Sequence, residues 1–144
     1  MAMRLPEQRL WDRMRKAFAP RKGVVLERVE NLVNEGTPDV NCATVEGGGC
    51  WIELKQQDTP PAMSSTRLLG PKGLSAVQRN WHLDWRRAGG TSWILVGVGP
   101  DLFLLVPGPL HDTVNDMTLS TMKAAAACGW DAIDAQLRKP KNRT

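Results

Sequence analysis

A chain of 144 residues, 42% of them hydrophobic, is suited to one domain with a single core. No apolar run approaches the roughly 20 residues of a membrane helix, and the opening MAMRLPEQRLWDRMRKAF lacks the apolar stretch of a secretory signal. A net charge of +4 permits a nucleic-acid partner without demanding one, and three cysteines (Cys42, Cys50, Cys128) without C-x-x-C spacing argue against a disulfide framework or zinc site and for a reduced, cytoplasmic setting.

Residues 6–18 carry helix periodicity, with Pro6 suited to the first turn and Trp11, Met14 and Phe18 as the inward stripe. Four positions before Trp11 stands Glu7, on that stripe; a helix N-terminus also favours a glutamate through its dipole. PRKG (20–23) breaks the helix, and VVLERVE (24–30) reads as a strand with Glu30 on the face of Leu26 and Arg28. NEGTPD (34–39) is rich in turn residues. VNCATVE (40–46), GGG (47–49) and CWIELK (50–55) read as strand, tight turn, strand, which brings Cys42 and Cys50 near each other as small half-buried thiols.

Residues 56–73, with three prolines and two glycines, predict a long loop, of the kind that is functional or mobile in a small domain. A second amphipathic helix follows over 74–90, its stripe Leu74, Val77, Trp81, Trp85 and Ala88, ended by Gly89 and Gly90. SWILVGV (92–98) and LFLLV (102–106) are continuous apolar strands, as in a sheet covered on both faces. Residues 109–139 predict helix in two pieces around Gly129. The expected domain is 1–139, with a basic, disordered tail at 140–144, and the order α-β-β-β-α-β-β-α predicts an α/β fold: a mixed central sheet flanked by helices. The histidines look uninvolved: His82 falls off its helix stripe and His111 opens the late helix.

The chemistry gathers at the hairpin. A turn centred on Gly47 and Gly48 places Asp39 across from Lys55 or its neighbour, while Glu53 and Lys55, two apart, share a strand face. Two carboxylates can hold a magnesium ion, with the backbone carbonyl of Leu54 as a further oxygen; the ion would acidify a water and draw charge from a phosphate. Lys55 could then orient the attacking water and stabilise the developing negative charge. An exposed cross-strand salt bridge, worth little, is the simpler alternative.

Pro38-Asp39, a gap of fourteen to Glu53, then Glu53-x-Lys55, resembles the P-D…E-x-K signature of the PD-(D/E)XK nuclease superfamily. RVEN…GTPDVN (28–41) with WIELK (51–55), and Gln78 in the helix that follows, resemble its VRR-NUC branch, over about residues 5–98. One departure is visible: the late strand that gives the branch its Val-Arg-Arg name reads LVGVG (95–99), without arginine. The superfamily has a restriction-endonuclease-like fold. The resemblance implies Asp39 and Glu53 as metal ligands, Lys55 as the catalytic lysine, and Gln78 as a supporting residue that also fits a capping box with Ser75. It implies an auxiliary carboxylate too, Glu7 or Glu30. The expected activity is a Mg2+- or Mn2+-dependent DNA endonuclease, cutting branched DNA as a homodimer in the manner of Holliday-junction resolvases. Alternatives are a non-catalytic DNA-binding module of the same fold and a restriction-type duplex nuclease. Arg67, Lys72, Arg79, Arg86, Arg87 and the 138–143 tail are the candidate phosphate contacts.

Overall fold

The computed structural model describes residues 5–30 and 36–141; the start of the expected turn at 34–35 and the end of the basic tail at 142–144 lie outside the described residues. Six strands form one sheet in the order β1-β2-β3-β4-β5-β6: β1 Val24–Arg28, β2 Val40–Thr44, β3 Gly48–Gln57, β4 Ser92–Val98, β5 Leu102–Pro107 and β6 Ala127–Cys128. Every pairing is antiparallel except β3 with β4. A parallel pair needs a crossover, and helix α2 (Ala76–Arg87) supplies it. Among the described residues no helix is long and apolar enough to cross a membrane.

Two apolar layers cover the sheet. On one face α1 (Pro6–Phe18) and α4 (Trp130–Leu137) bury Leu10, Met14, Phe18, Ile133 and Leu137 against Ile52, Leu54, Leu95 and Leu105. On the other, Leu68, Leu69, Leu74, Val114, Met117 and Met122, the last from α3 (Leu119–Ala125), pack on Ile94, Val96, Leu104 and Val106. β4 and β5 therefore bury both faces, which is why they are almost unbroken apolar runs. Each completely buried leucine or isoleucine side chain in these layers contributes about 1.5–3 kcal/mol by leaving water.

Several sequence expectations need correction. The deepest stripe of α1 is Leu10, Met14 and Phe18, with Trp11 only partly buried. β3 runs on to Gln57, so the long loop starts later, and it closes on a 3-10 turn at Gly70–Lys72. The segment after β5 holds 3-10 turns at Gly108–Asp112 and Val114–Asp116, then α3, β6 and α4. The break at Gly129 is where it was expected, at φ 85°, but the two-residue strand β6 just before it was not foreseen. His111 belongs to a buried 3-10 turn, its Nδ1 2.9 Å from the Gly108 carbonyl.

The hairpin register also shifts. Thr44 pairs with Gly48 and Val40 with Ile52, so the loop is 45–47 and not the glycine run. Thr44 sets this turn: its Oγ1 donates to the Leu137 carbonyl at 3.0 Å and accepts from the Gly47 N–H at 2.8 Å. Gly47 is used for close approach, since a Cβ there would lie 2.1 Å from the Leu137 oxygen. Cys42 and Cys50 are direct partners across the ladder, both buried and both free.

Candidate active site

One residue beyond the last β2–β3 pair, Asp39 falls beside Glu53, not Lys55. Its carboxylate Oδ2 accepts the Leu54 N–H at 2.9 Å, and its carbonyl accepts the Val29 N–H at 2.8 Å. The aspartate thus continues the ladder where the β2 backbone turns away, and the Leu54 carbonyl projects toward the same vacated edge. Asp39 is also held through Gly36. This residue sits at φ 90°, and a Cβ on it would lie 2.8 Å from both Cγ1 and the carbonyl oxygen of Val77 in α2. The turn before Asp39 therefore leans on the first turn of α2, and glycine is what permits it.

Along β3 the odd-numbered side chains Trp51, Glu53 and Lys55 face α2. Glu53 is 1% exposed and hydrogen-bonded to Asp39. Burial pushes its carboxyl well above the usual range, the hydrogen bond and charge of Asp39 push it further, Lys55 opposes, and the Glu7 charge adds a small rise. The hydrogen bond to Asp39 thus favours the protonated form of this carboxyl. Its other oxygen, Oε1, is buried and has no hydrogen-bond partner. Such an orphaned buried oxygen is costly unless a donor or a cation meets it.

Lys55 is half-buried, and its Nζ donates to Gln78 Oε1 at 3.0 Å. The same oxygen accepts the Ser75 N–H at 2.9 Å, while Ser75 Oγ accepts the Gln78 N–H at 3.2 Å. The capping box and the lysine contact coexist in one side chain. Asp39, Glu53, Lys55 and Gln78 are thus brought together by β2, β3 and α2.

The other expected residues divide. Glu7, in the first turn of α1, is close enough for its charge to act on Glu53; Glu30 is exposed and is not among the groups acting on it. Among the described residues, no three carboxylate, imidazole or thiol groups converge as a ready ligand set, so Glu7 stops short of the Asp39–Glu53 pair. The donors that fit a divalent cation are the two carboxylates, one of them with an unused buried oxygen, and the Leu54 carbonyl. Hard oxygen donors of this kind suit magnesium or manganese, which keep waters in their remaining positions.

Arg67 is exposed with an ion pair to Asp116 at 3.4 Å, and Lys72 reaches Gln57 Oε1 at 3.4 Å. Arg79 donates to the Leu74 carbonyl at 2.9 Å, and Arg87 is exposed. Arg86 lines a cleft of about 790 Å³ with Lys139 and Lys141, at the end of the sheet where β3 and β4 begin.

The stripe expected on α2 is also revised. Val77 and Trp85 are 46% and 37% exposed, while His82, set aside on sequence, is wholly buried with Nδ1 2.8 Å from Ser92 Oγ. Burial lowers the His82 pKa to about 4, with His111 and Arg86 adding to the fall. Trp51, whose position beside Glu53 was missed, packs edge-on against Trp81 and Trp85, ring centres 5.9 and 6.4 Å away. The signal was available in the sequence, since Trp51, Glu53 and Lys55 keep the period of two.

No protein-family model matches the chain, and no curated protein matches it in sequence. In fold it is similar to the solved structure of Hjc, a Holliday junction resolvase from the archaeal hyperthermophile Archaeoglobus fulgidus. The two superpose with a TM-score of 0.57 at 16% identity, over 90% of this chain and 97% of that one. The architecture is restriction-endonuclease-like: a mixed sheet flanked by helices, with the carboxylates and lysine on the α2 side of β3.

Proposed function

We propose that this chain is a divalent-cation-dependent DNA endonuclease of the PD-(D/E)XK superfamily, acting on branched DNA as a homodimer. The observation that carries the proposal is the pairing of Asp39 with a buried Glu53 carboxyl whose Oε1 has no partner, beside a lysine that Gln78 aims. The resolvase-like fold supports branched DNA over linear duplex, and the P-D…E-x-K spacing supports the superfamily.

Asp39 and Glu53 would hold the cation together with the Leu54 carbonyl, and Glu7 would add its charge from α1. Bound there, a magnesium or manganese ion supplies Lewis acidity to the phosphodiester and lowers the pKa of a water. Lys55, fixed by Gln78, places an ammonium where negative charge grows on the phosphate and orients the attacking water. Glu53 must lose its proton for the site to load. Arg79 and Arg87 on α2, with Arg67 and Lys72 from the long loop, would meet neighbouring phosphates and set register without reading sequence.

Purified protein should be incubated with a four-way junction, a linear duplex and a single strand, with Mg2+, with Mn2+ and with EDTA. Cation-dependent cutting, strongest on the junction, is expected. Tight binding of all three with no cutting under any condition would identify a non-catalytic DNA-binding module instead.

A further inference from the structure

Next to the carboxylate row lies an aromatic surface that the proposed cleavage chemistry does not use. Trp81 and Trp85, one helical turn apart on α2, stack with ring centres 5.2 Å apart and planes 19° from parallel. Trp51 closes the group edge-on from β3, two residues before Glu53 on the same face. Two residues along a strand span about 6.5 Å. On α2 the supporting Gln78 is likewise one turn before Trp81. Both elements thus carry the same succession, polar site and then tryptophan.

A core role does not account for this group. Trp85 is 37% exposed with its Nε1 already bonded to the Thr91 carbonyl at 3.1 Å, and the sheet beside Trp51 presents exposed Asn41 and Glu27, not apolar cover. The indole is also built into place: a Cβ on Gly90 would lie 2.2 Å from Trp85 Nε1. Arg86 lines the adjoining cleft together with Gly90, whose backbone abuts the Trp85 indole.

We infer that Trp85, backed by Trp81 and Trp51, is a stacking platform for an unpaired nucleobase, next to the nucleotide whose phosphate meets Glu53 and Lys55. A base has a π face that any tryptophan can receive, and Arg86 in the adjoining cleft can take the backbone charge. A base stacked in a duplex has no free face to offer. The platform therefore selects strands that part at a branch point, where a base face is exposed, over continuous duplex. This rests on the nuclease assignment for its neighbour, the scissile phosphate, but binding by itself does not require cleavage.

The test is a binding titration in EDTA, using a forked DNA with 2-aminopurine in its unpaired arm next to the branch, and a blunt duplex of equal length. The wild-type protein should change the 2-aminopurine fluorescence on binding the fork. Trp85→Leu should weaken fork binding on the order of tenfold and leave duplex binding unchanged, with Trp85→Phe recovering most of the loss. Unchanged 2-aminopurine fluorescence on wild-type binding overturns the inference, and this decides the matter even if Trp85→Leu fails to fold. Equal weakening of fork and duplex overturns it too. So does a shift by Trp85→Leu from dimer to monomer in light scattering with fork preference intact, which would make the surface a contact between copies. A protein that binds the fork through Trp85 but never cuts refutes only the nuclease assignment. One that cuts without perturbing 2-aminopurine refutes only the platform.

Discussion

Lys55 and Gln78 meet through one oxygen: Gln78 Oε1 accepts the lysine Nζ at 3.0 Å and the Ser75 N–H at 2.9 Å. The lysine is therefore aimed from the N-terminus of α2, and the helix cap and the site share a group. Gln78→Ala should cost about 1 kcal/mol of stability, typical of a lost cap, and should also lower junction cleavage severalfold or more by freeing Lys55. Ser75→Ala loses the reciprocal cap while leaving the Lys55 contact in place. It should lower the melting temperature by a similar amount with cleavage near wild type. Thermal denaturation and initial rates on both variants check this; equal rate losses would reduce Gln78 to a cap.

Glu53 makes stability depend on pH and cation. Its pKa is raised in the fold, so the fold binds its proton more tightly than the unfolded chain does. The stabilisation linked to that proton is complete below the ordinary carboxylate range and is lost as pH rises toward the folded value. Without divalent ions the melting temperature of the wild type relative to that of Glu53→Gln should fall as pH rises above about 4.5, near the ordinary pKa of a glutamate. Taking the difference removes the opposing contribution of other titrating groups. Mg2+ or Mn2+ should raise the melting temperature of the wild type at pH 8 and leave Glu53→Gln unmoved. Fluorimetric melting across pH, with and without cation, reads all of these; equal stabilisation of the variant would place the cation elsewhere.

His82 predicts the opposite slope. Its pKa falls from 6.5 to about 4 in the fold, so the buried neutral ring stabilises fully above 6.5. That contribution drains away as pH drops from 6.5 toward 4. It is on the order of 3 kcal/mol at neutral pH, at about 1.4 kcal/mol per pKa unit. Denaturant titrations at pH 7 and pH 4.5 should show the loss, and His82→Gln should be less stable at pH 7 but lose less on acidification. If wild type and variant lose stability in parallel, His82 is not the acid-sensitive group.

How far the sequence carried these conclusions can be seen residue by residue. Glu53 and Lys55 were legible as neighbours because a strand's period of two permits no other arrangement. That Asp39 stands beside Glu53 was not, because the register depends on a contact distant in sequence, the Thr44 hydroxyl on the Leu137 carbonyl. The core strands β4 and β5 announced themselves by unbroken apolar runs. β6 could not, since two residues carry no pattern. The inward face of α2 was misread for a physical reason: counting apolar residues turned Trp81 and Trp85 inward and His82 outward. In the fold His82 is buried with its Nδ1 on Ser92, and the tryptophans gather, partly exposed, around Trp51.

The central claim is that the ammonium of Lys55, beside Asp39 and Glu53, carries cation-dependent phosphodiester hydrolysis. The most direct measurement is the single-turnover cleavage rate of a four-way junction in Mg2+ by wild type and Lys55→Ala, with junction affinity measured in parallel in EDTA. Wild type should cut only with the cation. Lys55→Ala should bind within a fewfold of wild type and cut at least about a hundredfold more slowly, in the range typical for removing one such charge-stabilising group. Cleavage by Lys55→Ala at the wild-type rate, or wild-type cutting undiminished by EDTA, would contradict the account.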